Sequence, residues 1–246
     1  MKGAWKVWVQ QAFGHFGFQV RRLNRGVNLE DPFSEQLRFA DPKATTVFEV
    51  GAADGRDCLS YAESFPLANV FAFEPIPSSF SQIELRARDN PRIYPVNEAM
   101  AEKVGTAKFH ISQWHDASSL MQPKKTGSTF DEYTASCCSI EVKVNTIDNF
   151  CAQNKIEKID ILKMDAQGAE LKILEGAKES LDRRMIKLIY TEVSFLEIYV
   201  GAVRFDQLMS FLVDHGFRFH NLYGLNHNQK GELTQADAIF VLDSAR

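Results

Sequence analysis

Cysteine is scarce in this chain, and its arrangement excludes two classes of protein. The four cysteines among 246 residues show neither the C-x-x-C spacing of a metal site nor the density of a disulfide scaffold. Apolar runs are short as well: none is long enough to span a bilayer, and the N-terminus lacks the uninterrupted apolar core of a signal peptide. We therefore expect a cytoplasmic protein without a transmembrane segment.

Positive charge is not in excess, and it is concentrated near the N-terminus. The net charge of −4 gives no reason to expect nucleic-acid binding. Residues 1–29 contain five basic residues and no acidic ones, and they carry the apolar stripe of an amphipathic helix, formed by Trp5, Trp8, Val9, Ala12, Phe13 and Phe16. This helix is expected to pack on its own domain or on a partner subunit, as in a homodimer. A peripheral membrane contact is the alternative.

The segment after this helix is predicted to be a polar connector. Asp31-Pro32 and Asp41-Pro42 lie in residues 30–46, and each proline biases the residue before it away from helix. The remaining length suits one large α/β domain. The predicted division is therefore 1–44, an N-terminal helix and connector, and 45–246, a single domain.

One short stretch, residues 47–55, organises the predicted domain. A buried strand ending at Val50 is followed by Gly51, a run of small residues and Gly55, where a helix begins. Gly51 lets the backbone approach a ligand, and a helix start offers free N–H groups. The next strand ends at Glu74, 20 positions after Asp54, which is about where a βαβ unit delivers a carboxylate to a ribose.

The glycine pattern favours one nucleotide cofactor over another. Diphosphate binding uses G-x-G-x-x-G, whereas Gly51 and Gly55 are separated by three residues and no third glycine follows. Asp54 would repel a diphosphate but would attract a cationic sulfonium or accept from an amino group. The loop therefore predicts S-adenosylmethionine rather than a nicotinamide cofactor.

Further polar residues follow other strands and one unpatterned loop. Asn97, Glu98 and Ala99 lie just beyond the third predicted strand, at the sheet edge where ligands of α/β folds bind. Residues 112–138 lack any period, as is typical of lids and binding loops. Within this candidate acceptor loop, Trp114 could stack on a sugar face, and a polar pocket could be lined by His115, Asp116, Ser118 and Ser119.

A second informative strand runs from Ile161 to Met164 and carries Asp165 beyond its carboxyl end. Burying an ammonium in such a strand is costly unless it is paired, so Lys163 is predicted to pair with Asp165. Asp165 would face the cofactor crevice or cap the following helix. With the remaining strands, the pattern predicts a doubly wound fold around a seven-stranded, mostly parallel sheet whose last two strands, from Phe217 and Ala238, are antiparallel.

The ordered series of these motifs resembles the FkbM family of S-adenosylmethionine-dependent methyltransferases, from about Val47 to Val193. The blocks that carry the resemblance are EVGAADG from Glu49, FEPIP from Phe73, NEAM from Asn97, SSL from Ser118, VNTID from Val144 and ILKMDAQGAELKILEGA from Ile161. The resemblance implies a Rossmann-like class I methyltransferase fold and O-methylation of a hydroxyl on a sugar, glycan or natural product.

The resemblance also implies site residues. The cofactor pocket would contain Glu49, Gly51, Ala52, Asp54, Gly55, Glu74, Asn97 and Asp165, with the neighbours Pro75, Glu98 and Ala99. Two positions depart from the family pattern: Glu49 stands where Asp is common, and Gln167 stands where Glu is common. Because Gln167 removes a carboxylate, any metal or base chemistry of that group is in doubt here.

Methyl transfer to an alcohol requires alignment and a general base. We expect Asp165 or His115 to take the proton, with Lys163 stabilising the alkoxide or positioning Asp165. Carboxylates at strand ends can hold Mg²⁺, but no clear ligand set is present, so no metal residue is predicted. One rival interpretation is a catalytically silent Rossmann-like protein that binds a partner through its N-terminal helix. Another is a nicotinamide-dependent oxidoreductase.

Overall fold

The computed structural model describes residues 31–114, 117–125 and 130–243, which form ten strands and eight helices. The strands are β1 (Thr46–Val50), β2 (Asn69–Phe73), β3 (Ile93–Val96), β4 (Ala99–Met100), β5 (Gly105–Ser112), β6 (Ser136–Asn145), β7 (Ile159–Met164), β8 (Ile186–Ser194), β9 (Phe217–His227) and β10 (Leu233–Leu242). The helices are α1 (Pro32–Phe39), α2 (Arg56–Ser64), α3 (Pro77–Asp89), α4 (Phe130–Thr134), α5 (Ile147–Asn154), α6 (Glu170–Glu175), α7 (Lys178–Asp182) and α8 (Phe205–Asp214).

Seven strands form the main sheet in the order β3-β2-β1-β7-β8-β10-β9. The first five are parallel, and β10 and β9 are antiparallel to their neighbours, which confirms the predicted doubly wound sheet. The strand order reverses between β1 and β7, and a crevice opens at such a point beyond the carboxyl ends of the strands. A smaller sheet, β4-β6-β5, was not predicted.

Alternate residues of the central strands pack on opposite faces of the sheet, as strand geometry requires. Val47 joins one core with the helix residues Tyr61 and Ile83, whereas Phe48 joins the other core with Phe150 and Leu174. Strand β7 is buried along its whole length. The strands that end at the crevice are therefore fixed on both faces.

The predicted polar connector is in part helical, and that expectation was wrong. Asp31 caps α1 by accepting from the N–H groups of Phe33 and Ser34, and Pro32 occupies the first turn, where its missing N–H costs nothing. Helix α1 contacts the sheet, because Glu35 lies 2.9 Å from Nε2 of His220. The predicted N-terminal amphipathic helix lies outside the described residues.

Helix α3 begins at a proline. Its first residue is Pro77 and its N-cap is Ile76, which makes no side-chain cap bond. Proline at the first helical position supplies the helix start instead. Helix α2 begins after Gly55, as the sequence predicted, and ends at Ser64, two residues before Pro66.

Candidate active site

A cleft of about 700 Å³ lies beyond the carboxyl ends of β1, β2 and β7. Its volume falls in the range of small-molecule and cofactor sites. Carboxylates, small residues and apolar side chains all line this cleft. The lining includes Gly51, Ala52, Asp54, Glu74, Pro75, Ile76, Glu98, Ala99, Met100, Phe109, Ser118, Leu120, Lys163, Asp165 and Gln167.

Gly51 joins the strand ends at the floor of the cleft. Its N–H donates to the carbonyl of Phe73 at 3.0 Å, and the N–H of Asp165 donates to the carbonyl of Val50 at 3.0 Å. Gly51 has φ +79°, and a Cβ added to it would lie 1.9 Å from the carbonyl oxygen of Asp165. Only glycine allows the β1 turn and the β7 end to approach this closely.

Glu74 is held rigidly at the end of β2. Its Oε2 accepts from the N–H of Ala53 at 3.0 Å, and its Oε1 accepts from the N–H of Ile76 at 2.8 Å. Asn97 donates through Nδ2 to the backbone carbonyl of Glu74 at 2.8 Å. The Asn97 side chain is therefore hydrogen-bonded to the end of β2. A carboxylate has about four acceptor positions, and these bonds fix its plane at the cleft wall.

Asp54 and Glu98 both line the cleft and have polar partners of their own. Partial burial raises the pKa of Asp54, but Arg56 and Arg86 outweigh this and hold that pKa below its ordinary value. The Asp54 carboxylate is therefore ionised at neutral pH. Glu98 accepts from Nδ2 of Asn145 at 2.9 Å, which ties the end of β3 to the small sheet.

Lys163 bonds to carboxylates other than the one predicted. Its ammonium donates to Oε1 of Glu49 at 2.8 Å and also to Asp57. The reason is register, since β1 and β7 pair with Glu49 opposite Lys163. Burial alone would lower the pKa of Lys163, but the charges of Glu49 and Asp57 outweigh it and raise that pKa well above its ordinary value. Glu49 also accepts from the Cys58 thiol, so both known partners of its carboxylate are protein side chains in the interior.

Gln167 connects two carboxylates beside the cleft. Its Nε2 donates to Oδ1 of Asp165 at 2.8 Å and to Oε2 of Glu192 at 3.1 Å, and its Oε1 accepts from the hydroxyl of Tyr199 at 3.1 Å. Its backbone has φ +52°, an uncommon value for a residue with a side chain. Asp165 is itself exposed to the cleft, and this amide fixes the orientation of its carboxylate.

Asp165 does not cap the following helix, which was the alternative role predicted for it. The N-cap of α6 is Ala169, with no side-chain cap. Glu170 instead accepts from the N–H groups of Ala166 at 2.9 Å and Gly168 at 3.3 Å. Burial raises the pKa of Glu170 to about 7, and burial together with the charge of Asp165 raises the pKa of Glu192 well above its ordinary value.

The described part of the acceptor loop reaches the cleft through Ser118 and Leu120. The Oγ of Ser118 accepts from the N–H of Ser112 at 3.0 Å. Ser119, also predicted to bind substrate, is buried and donates to the carbonyl of Gln167 at 2.7 Å, so it anchors the loop to the β7 end. Trp114 has 61% of its surface exposed and is not among the residues that line the cleft. His115 and Asp116 lie outside the described residues.

Sequence reasoning did not single out three residues that shape the site. Asp57 could have been suspected as a carboxylate in the first turn of a helix after the glycine loop. Gln167 stood out only as a departure from a family pattern. Tyr199 gave no local signal, because its bonds join segments distant in sequence: its hydroxyl lies 3.1 Å from both the carbonyl of Ala117 and Oε1 of Gln167.

Neither a metal-ligand cluster nor a membrane-spanning helix occurs among the described residues. Residues 31–114, 117–125 and 130–243 contain no group of three or more His, Cys, Asp or Glu arranged to hold a metal ion. Within the same ranges, no helix has both the length and the apolar character needed to cross a membrane.

Comparison with known proteins gives consistent results. The Methyltransferase FkbM domain matches residues 49–219. The chain is 27% identical over 213 residues to 2-O-methyltransferase NoeI of Sinorhizobium fredii, covering 83% of this chain and 84% of that protein. It is 22% identical over 161 residues to methyltransferase sdnD of Sordaria araneosa, and the match covers 56% of this chain and 62% of that protein.

One solved structure has the same fold. The crystal structure of methyltransferase FkbM from Methylobacillus flagellatus KT aligns with a TM-score of 0.54 and 15% identity, covering 85% of this chain. This chain spans only 48% of the length of that one. Since the family match covers most of the residues that form the sheet and the cleft, we conclude that the chain belongs to the FkbM methyltransferase family.

Proposed function

We propose that this methyltransferase uses S-adenosylmethionine to methylate a hydroxyl group of a small molecule, a sugar, glycan or natural product. One observation carries the proposal: the oriented carboxylates of Glu74 and Asp165 line the same cleft at the point where the strand order reverses. The name of the relative NoeI, a 2-O-methyltransferase, supports an oxygen acceptor. The four free cysteines are compatible with the reducing cytoplasm as its location.

The residues of the cleft fit the chemistry of this cofactor. We infer that Glu74 accepts from the ribose hydroxyls, because its plane is fixed by the N–H groups of Ala53 and Ile76. Apolar side chains such as Ile76 and Met100 suit an adenine ring, and Asp54 supplies the negative charge that favours a sulfonium. The cofactor would bring a methyl group that is already electrophilic.

The chain itself must then supply orientation and a proton acceptor. We assign the proton acceptor to Asp165, which is exposed to the cleft and oriented by the Gln167 amide. Ser118 and Leu120 line the cleft from the loop after β5, and we infer that they contact the acceptor molecule. Phe109 adds an apolar wall that helps to exclude water.

We propose a different role for Lys163 from the one expected. Its ammonium is bonded to Glu49 and Asp57, and we infer that it does not stabilise an alkoxide. We infer that it acts structurally, holding the glycine turn and the first turn of α2 against β7. The cofactor loop would then keep its shape without help from the ligand.

Methyl transfer tests this proposal directly. The purified protein would be incubated with methyl-labelled S-adenosylmethionine and a panel of oligosaccharides and hydroxylated natural products, and products would be analysed for O-methyl groups. We expect Asp165→Asn to lower turnover by about 100-fold or more, since general bases contribute on that order. Asp89→Asn, at an exposed position ending α3, is the matched control and should keep full activity.

Full turnover by Asp165→Asn would remove Asp165 from the catalytic role. A protein that binds no S-adenosylmethionine at all would contradict the proposed function, and it would favour the silent partner-binding interpretation. In that case, loss of partner association on deletion of residues 1–28 would be the decisive observation.

A further inference from the structure

Two adjacent thiols are exposed on the small sheet, outside the cleft. Cys137 and Cys138 lie on β6, and their Sγ atoms are 3.8 Å apart. Both side chains are exposed, whereas Cys58 and Cys151 are buried. Adjacent residues of a regular strand point to opposite faces, so such proximity needs a local cause.

A β-bulge supplies that cause. In the pairing of β5 with β6, Ile111 lies opposite Cys138 but Ser112 lies opposite Ser136, so Cys137 is the extra residue. The hydroxyl of Ser136 donates to the carbonyl of Cys138 at 2.9 Å and closes the bulge. The bulge breaks the alternation of side chains and brings the two sulfurs together.

We propose that Cys137 and Cys138 are a reversible dithiol–disulfide site that reacts with low-molecular-weight disulfides. The thiolate of one cysteine attacks the small disulfide, forms a mixed disulfide and displaces one small thiolate. The second cysteine then attacks the protein sulfur of the mixed disulfide, the bond between the two cysteines forms, and the second small thiolate leaves. The protein loses two electrons and two protons, and the oxidant becomes two thiols.

The geometry also makes this disulfide easy to reduce. Adjacent Cα atoms lie about 3.8 Å apart, closer than the roughly 4.4–6.8 Å that relaxed disulfides span. Strained, exposed disulfides are the labile ones, so a thiol reductant should reopen it readily. The site is therefore a modification site rather than a structural crosslink.

Closure of the disulfide would act on the loop that carries Ser118. The Cys137 thiol donates to the carbonyl of Ile111 at 3.4 Å, and this bond is lost on oxidation. The next residue, Ser112, donates its N–H to Oγ of Ser118, which lines the cleft. A rearrangement of the bulge would therefore shift Ser112, and through its hydrogen bond it would also shift Ser118 at the cleft wall. The thiol chemistry itself does not depend on the proposed methyl transfer.

Peptide mass spectrometry tests the reaction. After the reduced full-length protein is treated with excess glutathione disulfide, the peptide containing both cysteines should lose two hydrogens, and dithiothreitol should restore them. Cys137→Ser and Cys138→Ser should each keep a stable mixed disulfide on the remaining cysteine. A lasting mixed disulfide in the wild type, an intermolecular crosslink or an unmodified peptide would each overturn the proposal.

Hydrogen exchange tests the coupling to the loop. Amides in a peptide spanning 105–113 should exchange faster in the oxidised protein and return to their original rate after reduction. Cys137→Ser under the same treatment is the matched control and should show no such change, because the hydroxyl at position 137 does not react with a disulfide. Equal exchange in the oxidised and reduced wild type would overturn the link to Ser118.

Discussion

Lys163 and Glu49 face each other across the paired strands β7 and β1, and the ammonium donates to the carboxylate at 2.8 Å. Their side chains are 11% and 1% exposed, so this ion pair belongs to the interior beside the cleft. Asp57 adds a second carboxylate from the first turn of α2. Together the three side chains connect β7, β1 and the first turn of α2 beside the cleft.

We predict that Lys163→Met destabilises the protein by about 3–5 kcal/mol, because it leaves the buried Glu49 carboxylate without its counter-ion. Lys172→Met is the matched control. It removes an ammonium from a half-exposed pair with Glu102, and exposed pairs contribute only about 0–1 kcal/mol. Urea unfolding measures both effects.

A second variant separates charge from packing in the same pair. Glu49→Gln combined with Lys163→Met removes both charges, so the double variant should recover part of the lost stability. If Lys163→Met were no more destabilising than Lys172→Met, the interior ion pair would not have the structural role assigned to it.

Alanine substitutions at two glycines with the same φ angle separate the cost of backbone strain from the cost of a steric clash. Gly51 and Gly231 both have φ +79°, but a Cβ on Gly231 meets nothing within 4 Å, whereas one on Gly51 meets the Asp165 carbonyl. Gly231→Ala should cost about 1–2 kcal/mol through backbone strain alone. Gly51→Ala should cost more and should abolish cofactor binding, because the β1 turn and β7 end must separate. Equal losses in thermal unfolding would contradict this account.

The strand ends were predictable because they depend on local patterns. The apolar run ending at Val50 and the carboxylates Glu74 and Asp165 are read from strand length and position alone, and all three lie at the predicted edge of the sheet. The antiparallel closing strands were predicted on the same basis.

The remaining features depend on pairing that a single sequence does not display. The partner of Lys163 follows from the β1–β7 register, and the anchoring of Ser119 follows from a contact 48 positions away. Strand β4 has two residues, too few to show any period. Helix α1 was missed for another reason: Asp31-Pro32 was interpreted as a breaker, although the same two residues form an N-cap and a first turn.

Glu170 should make stability depend on pH near neutrality. Its pKa is raised from 4.5 to about 7 in the folded protein, so the folded state holds a proton that the unfolded state has already lost. Stability should therefore fall as pH rises from about 4.5 to 7, relative to Glu170→Gln, whose amide oxygen still accepts from the backbone. Denaturant unfolding of both proteins across this window measures the difference. If the difference in unfolding free energy between the two proteins did not change with pH, Glu170 would not titrate in this window.

Replacing Gln167 by glutamate should destabilise the folded protein. Gln167→Glu would place a third carboxylate against Asp165 and Glu192 and would remove the amide that donates to both. We expect a loss of about 1–3 kcal/mol at neutral to alkaline pH, and a smaller loss in acid, where the carboxyls protonate. Gln82→Glu, on an exposed position of α3 that also lines the cleft, should change stability little. Similar unfolding curves for the two variants would refute the role of the amide.

The most direct test of the account is calorimetric titration of the protein with S-adenosylmethionine and S-adenosylhomocysteine. We predict that both ligands bind the wild type with micromolar affinity, that NAD does not bind, and that Glu74→Ala loses the binding because the ribose hydroxyls lose their acceptor. Glu84→Gln, at an exposed position of α3, should bind as the wild type does. Unchanged binding by Glu74→Ala, or no binding of either ligand by the wild type, would contradict the account.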